Sequence, residues 1–256
     1  MNTNSAAKAP TTLIVIGHPG RPSFTTQWAD ASARGVEATG GRVLMSDLAA
    51  TRFDAVERAE HFGLSGRFDP LKAQEAGPLP DDVALEVAKI EAADRIILHF
   101  PLWWFAPPAV IKGWCDRCLV HGRLHSVDAR FDQGIGRGKS VLFCASTGAS
   151  AAECGPSGKE GDSRLLLWPL AYTFRYCGYD VLEPQVLHGV HGYHEGADRE
   201  RLEDRLGAEL RGHEGRIGRW DDLPRMAFPA DADFDDAGRL KADRTAQSPF
   251  IQPQRP

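Results

Sequence analysis

The chain of 256 residues contains no long hydrophobic run. Its most apolar stretch, Ile96 to Ile111, is interrupted by His99, Pro101, Pro107 and Pro108, so it is too short and too broken to cross a bilayer, and no membrane insertion is expected. Neither charge sign dominates. The 30 Lys and Arg against 35 Asp and Glu leave a net charge of −5, which gives no electrostatic reason to expect nucleic acid as a partner. Cysteine is scarce and odd in number: five residues, Cys115, Cys118, Cys144, Cys154 and Cys177, do not make a disulfide framework and suit a reducing compartment. The opening MNTNSAAKAPTT holds one lysine and no apolar core, so no signal peptide is expected and a cytoplasmic location is. Internal repeats and low-complexity segments are absent. What remains is 42% apolar and 25% charged, a globular composition. A chain of this length buries roughly three quarters of its unfolded surface and needs no metal or disulfide to hold a core.

Apolar runs of strand length alternate with helical patterns. The predicted strands are Thr12–Gly17, Arg42–Asp47, Arg95–Phe100, Ser140–Cys144 and Asp180–Leu187, and the predicted helices are Phe24 to about Glu37, Pro80–Ala93, Pro108–Val120, Leu165–Tyr176 and Asp198–Leu210. Strands that are apolar on both faces, separated by helices, argue for an α/β fold: a doubly wound sheet of five parallel strands in one domain, its strand order not legible from the sequence. Two irregular stretches, Ala50–Leu79 and Asp222–Pro256, are long for loops and read as a lid and an arm.

In such a sheet a ligand lies beyond the carboxyl ends of the strands. After the first strand, Gly17-His18-Pro19-Gly20-Arg21-Pro22 leads to Ser23, Phe24 and Thr25 at a helix N-terminus, where free amides favour a phosphate; the plainer alternative is an ordinary N-cap at Ser23. After the third comes Leu102-Trp103-Trp104-Phe105 between prolines, either a core plug, a subunit contact or a flat wall for a planar cofactor, and the position favours the wall. After the fourth, Ser146-Thr147-Gly148-Ala149 is small enough for backbone amides to approach a ring's polar edge.

Taken together, HPxxxSF from His18, FPLxWFxxPAxxKGWxxR over Phe100–Arg117, STG at Ser146–Gly148, LLLWP at Leu165–Pro169 and CGYDVLEPQ after it resemble the NAD(P)H:quinone oxidoreductase family, of the DT-diaphorase and modulator-of-drug-activity type, with a flavodoxin-like fold. The resemblance runs from about residue 12 to 211, with a weaker echo in FDDAGRLK. It implies a flavin at the interface of a homodimer, reduced by NAD(P)H and reoxidised in ping-pong fashion by a quinone. By the same resemblance His18, Phe24 and Thr25 contact the phosphate and ribityl part. Leu102, Trp103, Trp104 and Phe105 border the ring, and Ser146, Thr147, Gly148 and Ala149 lie along its pyrimidine side. FAD is favoured over FMN because Ala50–Leu79 offers surface for an adenosine half. The domain reading is an unstructured segment 1–11, a flavin-binding domain 12–221 and an arm 222–256 at the dimer interface.

The sequence departs from the family where a tyrosine and a histidine assist charge relay: Cys154 and Glu160 stand there, with Lys159 adjacent as a source of positive charge. His125 is the candidate proton donor in the loop that otherwise carries tyrosines. Loss of the relay residues leaves an alternative, a flavin-binding ancillary subunit of a transport system with secondary reductase activity. No metal is expected. Cys115 and Cys118 have CxxC spacing but fall in a helix, His188, His191 and His194 lie in a glycine-interrupted loop that reads as lining the flavin's outer edge, and GIGRGKS precedes a strand where a P-loop would follow one.

Overall fold

The computed structural model describes residues 9–63 and 67–254. Parallel strands form the sheet in the order β2-β1-β3-β4-β5, where β1 is Thr11–Ile16, β2 Arg42–Asp47, β3 Arg95–Pro101, β4 Ser140–Ser146 and β5 Asp180–Val181. A sixth strand, β6 (Gln185–Leu187), pairs with the far end of β4. The helices are α1 (Phe24–Ala38), α2 (Pro70–Ala76), α3 (Asp81–Ala92), α4 (Ala109–Cys118), α5 (Ser163–Tyr176) and α6 (Gly196–Gly218). Successive strand side chains point to opposite faces. Leu13, Val15, Ile96, Leu98 and Phe143 therefore enter one core with α3, α4 and α5, while Ile14, Ile16, Ile97 and Leu142 enter a smaller one with α1 and α6.

Local chemistry sets the boundaries. Ser23 caps α1 in a reciprocal box with Thr26, and Gly40, at φ +77°, takes the left-handed turn that ends it. The expected strand Asp180–Leu187 is instead split into β5 and β6. Pro184 has no amide to donate, and the Glu183 amide turns away to the carbonyl of Pro224 (2.8 Å). The last helix is longer than the predicted Asp198–Leu210, because its second half buries His213 and Ile217. The stretch Ala50–Leu79 is not structureless. It contains α2, capped by Asp69 with Pro70 in the first turn, and is clamped to α4 by the buried Arg117, which donates to the Asp54 carbonyl (2.7 Å) and to Asp82 (2.6 Å). Gly113 permits this contact, since a Cβ there would lie 2.1 Å from the Ala55 carbonyl oxygen.

Residues 1–8 of the expected unstructured N-terminus lie outside the described residues, and β1 already begins at Thr11. The arm returns to its own domain: Met226 donates to the Val181 carbonyl (2.8 Å), and Phe250 stacks on Trp168 of α5 (4.7 Å between centroids). Among the described residues no helix is long and apolar enough to cross a membrane.

Candidate active site

The carboxyl ends of β1, β3 and β4 open into a cleft of about 510 Å³, whose walls include His18, Phe24, Thr25, Trp103 and Ser146. Gly17, just beyond β1, packs so closely on α4 that a Cβ would meet Ile111 at 2.4 Å, and this brings the following loop onto the strand ends. The Gly20 amide donates to His18 Nδ1 (3.0 Å) and holds that ring before Trp103, 6.0 Å between centroids. At the start of α1 the cap occupies the Thr26 amide, which donates to Ser23 Oγ (3.2 Å). The amides of Phe24 and Thr25, the first two of the helix, have no partner within it. No acidic residue lies in this first turn. The helix dipole and two open amides favour an anion there.

The β3 loop is a four-residue hairpin turn. Trp103 and Ala106 exchange backbone hydrogen bonds (3.0 and 3.1 Å), and between them Trp104 and Phe105 sit at φ +50° and +63°. Such a turn ordinarily favours Asn-Gly, because two consecutive left-handed residues with side chains are strained. Here two aromatics hold that conformation with Trp103, Trp104 and Phe105 exposed by 45%, 93% and 54%. Strain of this kind marks a functional loop. The turn supplies Trp103 to the cleft, while Phe105, Ala106 and Pro107 face a second cavity of about 860 Å³. That cavity is mostly apolar, walled by Leu119 and by Trp168, Tyr172 and Tyr176 of α5, and His125 stands on its edge.

The flavodoxin-like fold family matches residues 10–210. The chain is 33% identical over 187 residues to NAD(P)H dehydrogenase [quinone] 1 of Rattus norvegicus, covering 70% of this chain and 68% of that protein. It is 33% identical over 185 residues to ribosyldihydronicotinamide dehydrogenase [quinone] of Homo sapiens, covering 68% of this chain and 79% of the relative. It belongs to the flavodoxin-like NAD(P)H:quinone oxidoreductase family. A crystal structure from Klebsiella pneumoniae assigned as a quinone reductase superposes with a TM-score of 0.79 at 25% identity, over 92% of this chain and 95% of that one.

The residues present fit the flavin this family implies: open helix amides for a phosphate, an aromatic wall, and a small-residue loop with exposed Gly148. That loop is fixed by hydrogen bonds from Thr147 to the Leu187 carbonyl (2.9 Å) and from Val190 to the Thr147 carbonyl (2.9 Å). The expected contacts are distributed unevenly. His18, Phe24, Thr25, Trp103 and Ser146 line the cleft, and Ser23 acts as the cap behind it. Leu102 is tied to β4 by its amide (2.7 Å to the Ser146 carbonyl), Trp104 projects outward, and Phe105 belongs to the second cavity. Thr147, Gly148 and Ala149 form the loop beside the cleft.

None of the described residues in 50–79 lines the cleft, so that stretch does not offer the surface expected of it for an adenosine half. The far wall of the cleft is formed instead by Val190, His191 and His194 of the segment between β6 and α6 and by Arg199 in the first turn of α6. Arg199 and the later α6 residues went unrecognised in the sequence because the segment reads as a solvated, alternating-charge face.

Cys154 is buried behind the Ser146–Ala149 loop and lines neither cavity. Burial pushes its thiol pKa up, a hydrogen bond with Thr147 opposes this, and the nearby Glu160 adds to the rise. Lys159 pairs with Glu153 (3.1 Å), and the pair holds the Glu153 carboxyl near 2, the Ser150 amide being the larger cause. His125 packs edge-on against Tyr176 (5.4 Å between centroids), its Nδ1 buried without a hydrogen-bond partner. Burial first, and then the neighbouring His121, lower its pKa, while a hydrogen bond to the Leu119 backbone opposes them. Cys115, Cys118 and Cys177 are buried thiols whose pKa values are raised by desolvation.

Proposed function

We propose that this chain is a flavin-dependent NAD(P)H dehydrogenase that reduces quinones and similar conjugated acceptors. The carrying observation is one strained turn, Trp103–Ala106, with an anion-ready cleft on one side and an apolar cavity on the other, in a chain of this family. When bound, a flavin supplies the chemistry of accepting a hydride from NAD(P)H and passing it on at N5. The protein binds, orients and excludes water. The Phe24 and Thr25 amides hold the phosphate; His18, Leu102 and Trp103 wall the ring; Ser146, Thr147, Gly148 and Ala149 offer backbone to its polar edge.

His191, His194 and Arg199 extend the cleft beyond the phosphate, and this favours FAD over FMN. Phe105 and the α5 aromatics form a dry wall for a planar acceptor. His125, at the edge of this cavity, exchanges a proton with an acceptor oxygen. Cys154 and Glu160 act from behind the loop as positioning groups where the family keeps its tyrosine and histidine. The exposed Trp104 and the open side of the second cavity are the surfaces a second copy covers, in a cytoplasmic homodimer working by ping-pong exchange.

Cofactor extraction and mass measurement are expected to give FAD; FMN would remove the adenosine subsite and leave the reductase. Anaerobic mixing of the flavin-loaded protein with NADH or NADPH is expected to bleach the flavin within seconds, and menadione to restore its colour. Failure of both nucleotides would overturn the reductase reading and favour the ancillary-subunit one. Thr25→Glu, which places a carboxylate at the phosphate end of α1, is expected to weaken flavin binding roughly 10- to 100-fold, read by equilibrium titration.

A further inference from the structure

Gln74 and Glu75, in the last turn of α2, line neither cavity, yet both grip the loop that follows α4 and carries His125. Gln74 Oε1 accepts from the His121 amide (3.0 Å), and Glu75 Oε1 lies 2.9 Å from His121 Nδ1. Gly122, at φ +82°, turns the loop back on itself. Its amide donates to the His125 carbonyl (2.8 Å), and the Leu124 amide donates to the Val120 carbonyl (2.9 Å). The turn sets the two imidazoles side by side, their centroids 5.2 Å apart and their planes at 74°. Tyr176 meets His125 at 69°. The His125 ring is thus packed against two other rings at the edge of the apolar cavity. Behind it exposure rises outward: the His121 side chain is 11% exposed and that of Glu75 51%.

Neither imidazole makes a hydrogen bond through Nδ1, so packing and charge are what act among these three side chains. Among the described residues, the other ionisable groups around His125 bring no net charge to it. Cys115 and Cys177 line the cavity as thiols whose pKa values burial raises. Lys112 and Asp116, on the cavity's α4 side, neutralise each other in an ion pair. Tyr176 of α5 offers its ring, and Arg123 on the loop itself is taken up by Glu91 (2.6 Å). What remains is His121, which follows burial among the causes that lower the His125 pKa, and Glu75 behind it.

We propose that His121 and Glu75 are positioning residues for His125 in the reduction of the acceptor. This rests on the proposed reductase, in which His125 exchanges a proton with an acceptor oxygen. A hydride brings a quinone two electrons and one proton, and the hydroquinone product needs one proton more. That proton leaves a ring nitrogen of His125: the N–H bond breaks, an O–H bond forms, and solvent returns a proton to the ring. No group of the protein changes oxidation state. Two adjacent imidazolium charges repel, so the histidine pair holds one proton at a time, and the Glu75 carboxylate offsets that charge from behind. Packing against His121 and Tyr176 keeps the ring in place whether or not it carries the proton. The stretch 50–79, which the flavin cleft does not use, thereby serves the acceptor side.

The first readout needs no cofactor: the ring titration of His125 in the full chain by NMR, its signal assigned by its loss in His125→Gln. Glu75→Gln removes a negative charge and is expected to move the His125 midpoint down. His121→Phe keeps a ring but removes a charge, and is expected to move it up. Shifts of opposite sign are what a merely structural role would not produce. In the flavin-loaded protein, Glu75→Gln is expected to slow reoxidation by menadione roughly threefold to tenfold at neutral pH, and Glu75→Asp to restore most of the rate. The loss should fall on reoxidation and not on bleaching by NAD(P)H. Glu75 is half-exposed, so its variants decide the matter if His121→Phe does not fold. An unmoved His125 midpoint in folded Glu75→Gln, shifts of one sign in both variants, or unchanged reoxidation would overturn the proposal. The two readings fail apart. Moved midpoints in a protein that no nucleotide bleaches sink the reductase, whereas unmoved midpoints with normal bleaching sink only the positioning pair.

Discussion

The same strands serve two faces of the sheet, and the two faces exclude water by different means. Under α3, α4 and α5 the core is broad and apolar, with Phe143, Phe174, Trp114 and Leu98 in one continuous cluster. Under α1 and α6 it is smaller, and Ile14, Ile97 and Trp28 surround a hydrogen-bonded set of polar side chains, Ser32, His99 and His213. The broad face gains stability from area and packing. The narrow face gains specificity, since each polar group there must find its partner or carry the full cost of desolvation. The helices reflect this: α6 rests so closely on α1 that a Cβ on Gly35 would lie 2.7 Å from the Glu214 carbonyl oxygen.

The largest expected effect lies on the broad face. Phe143 is fully buried against Phe174, with ring centroids 5.7 Å apart, and Phe143→Ala is expected to cost about 3–5 kcal/mol in urea unfolding. That cost should not vary with pH between neutrality and mild acid.

The narrow face is expected to be acid-labile. Burial, and then Arg216, hold the His213 pKa down at about 3, and burial and His213 lower that of His99. Both rings fold uncharged. Below the unfolded histidine pKa of about 6.5 the unfolded chain takes up protons that the native chain does not. Stability present above that pH is therefore lost as pH falls toward about 3, where His213 itself becomes protonated. Each ring contributes up to about 1.4 kcal/mol per pH unit, or about 2 kcal/mol by pH 5. His213→Leu is expected to flatten the slope of stability against pH in that window; an unchanged slope would place the acid sensitivity elsewhere.

The smallest effect belongs to neither face. Trp104 is almost wholly exposed and left-handed, so Trp104→Gly relieves backbone strain while losing little packing. The melting curve is expected to rise by about 0.5 kcal/mol equivalent, against a measurable loss of quinone turnover.

Much of the broad face was legible in the sequence. The runs TLIVI, RIILHF and SVLFC announce buried parallel strands, and the motif from Phe100 to Arg117 fixes the β3 loop and α4 behind it. The narrow face was far less so. His99 sits inside an apolar run and His213 inside a charged helix, so neither spacing nor composition links them; only the closure of α6 over the sheet does. The fifth strand was misread as continuous although Pro184 was in view, because an apolar run outweighs one missing donor in a window that short. Asp69-Pro70 was a readable helix start inside what was taken for loop. In the candidate site, loop positions next to strand ends were foreseen, but the division between two cavities depends on which way each aromatic of one turn faces.

That turn gives the molecule a party wall. Trp103 looks into one room and Phe105 into the other, while the hydrogen bonds that fix the partition run along the backbone of Trp103 and Ala106. If the proposed function holds, heritable change at Phe105, or along the α5 aromatics beyond it, remodels what the far side admits without disturbing the tenant on the near one. On that reading a lineage carrying this partition broadens or exchanges its electron acceptors by small steps, each leaving the older room in order.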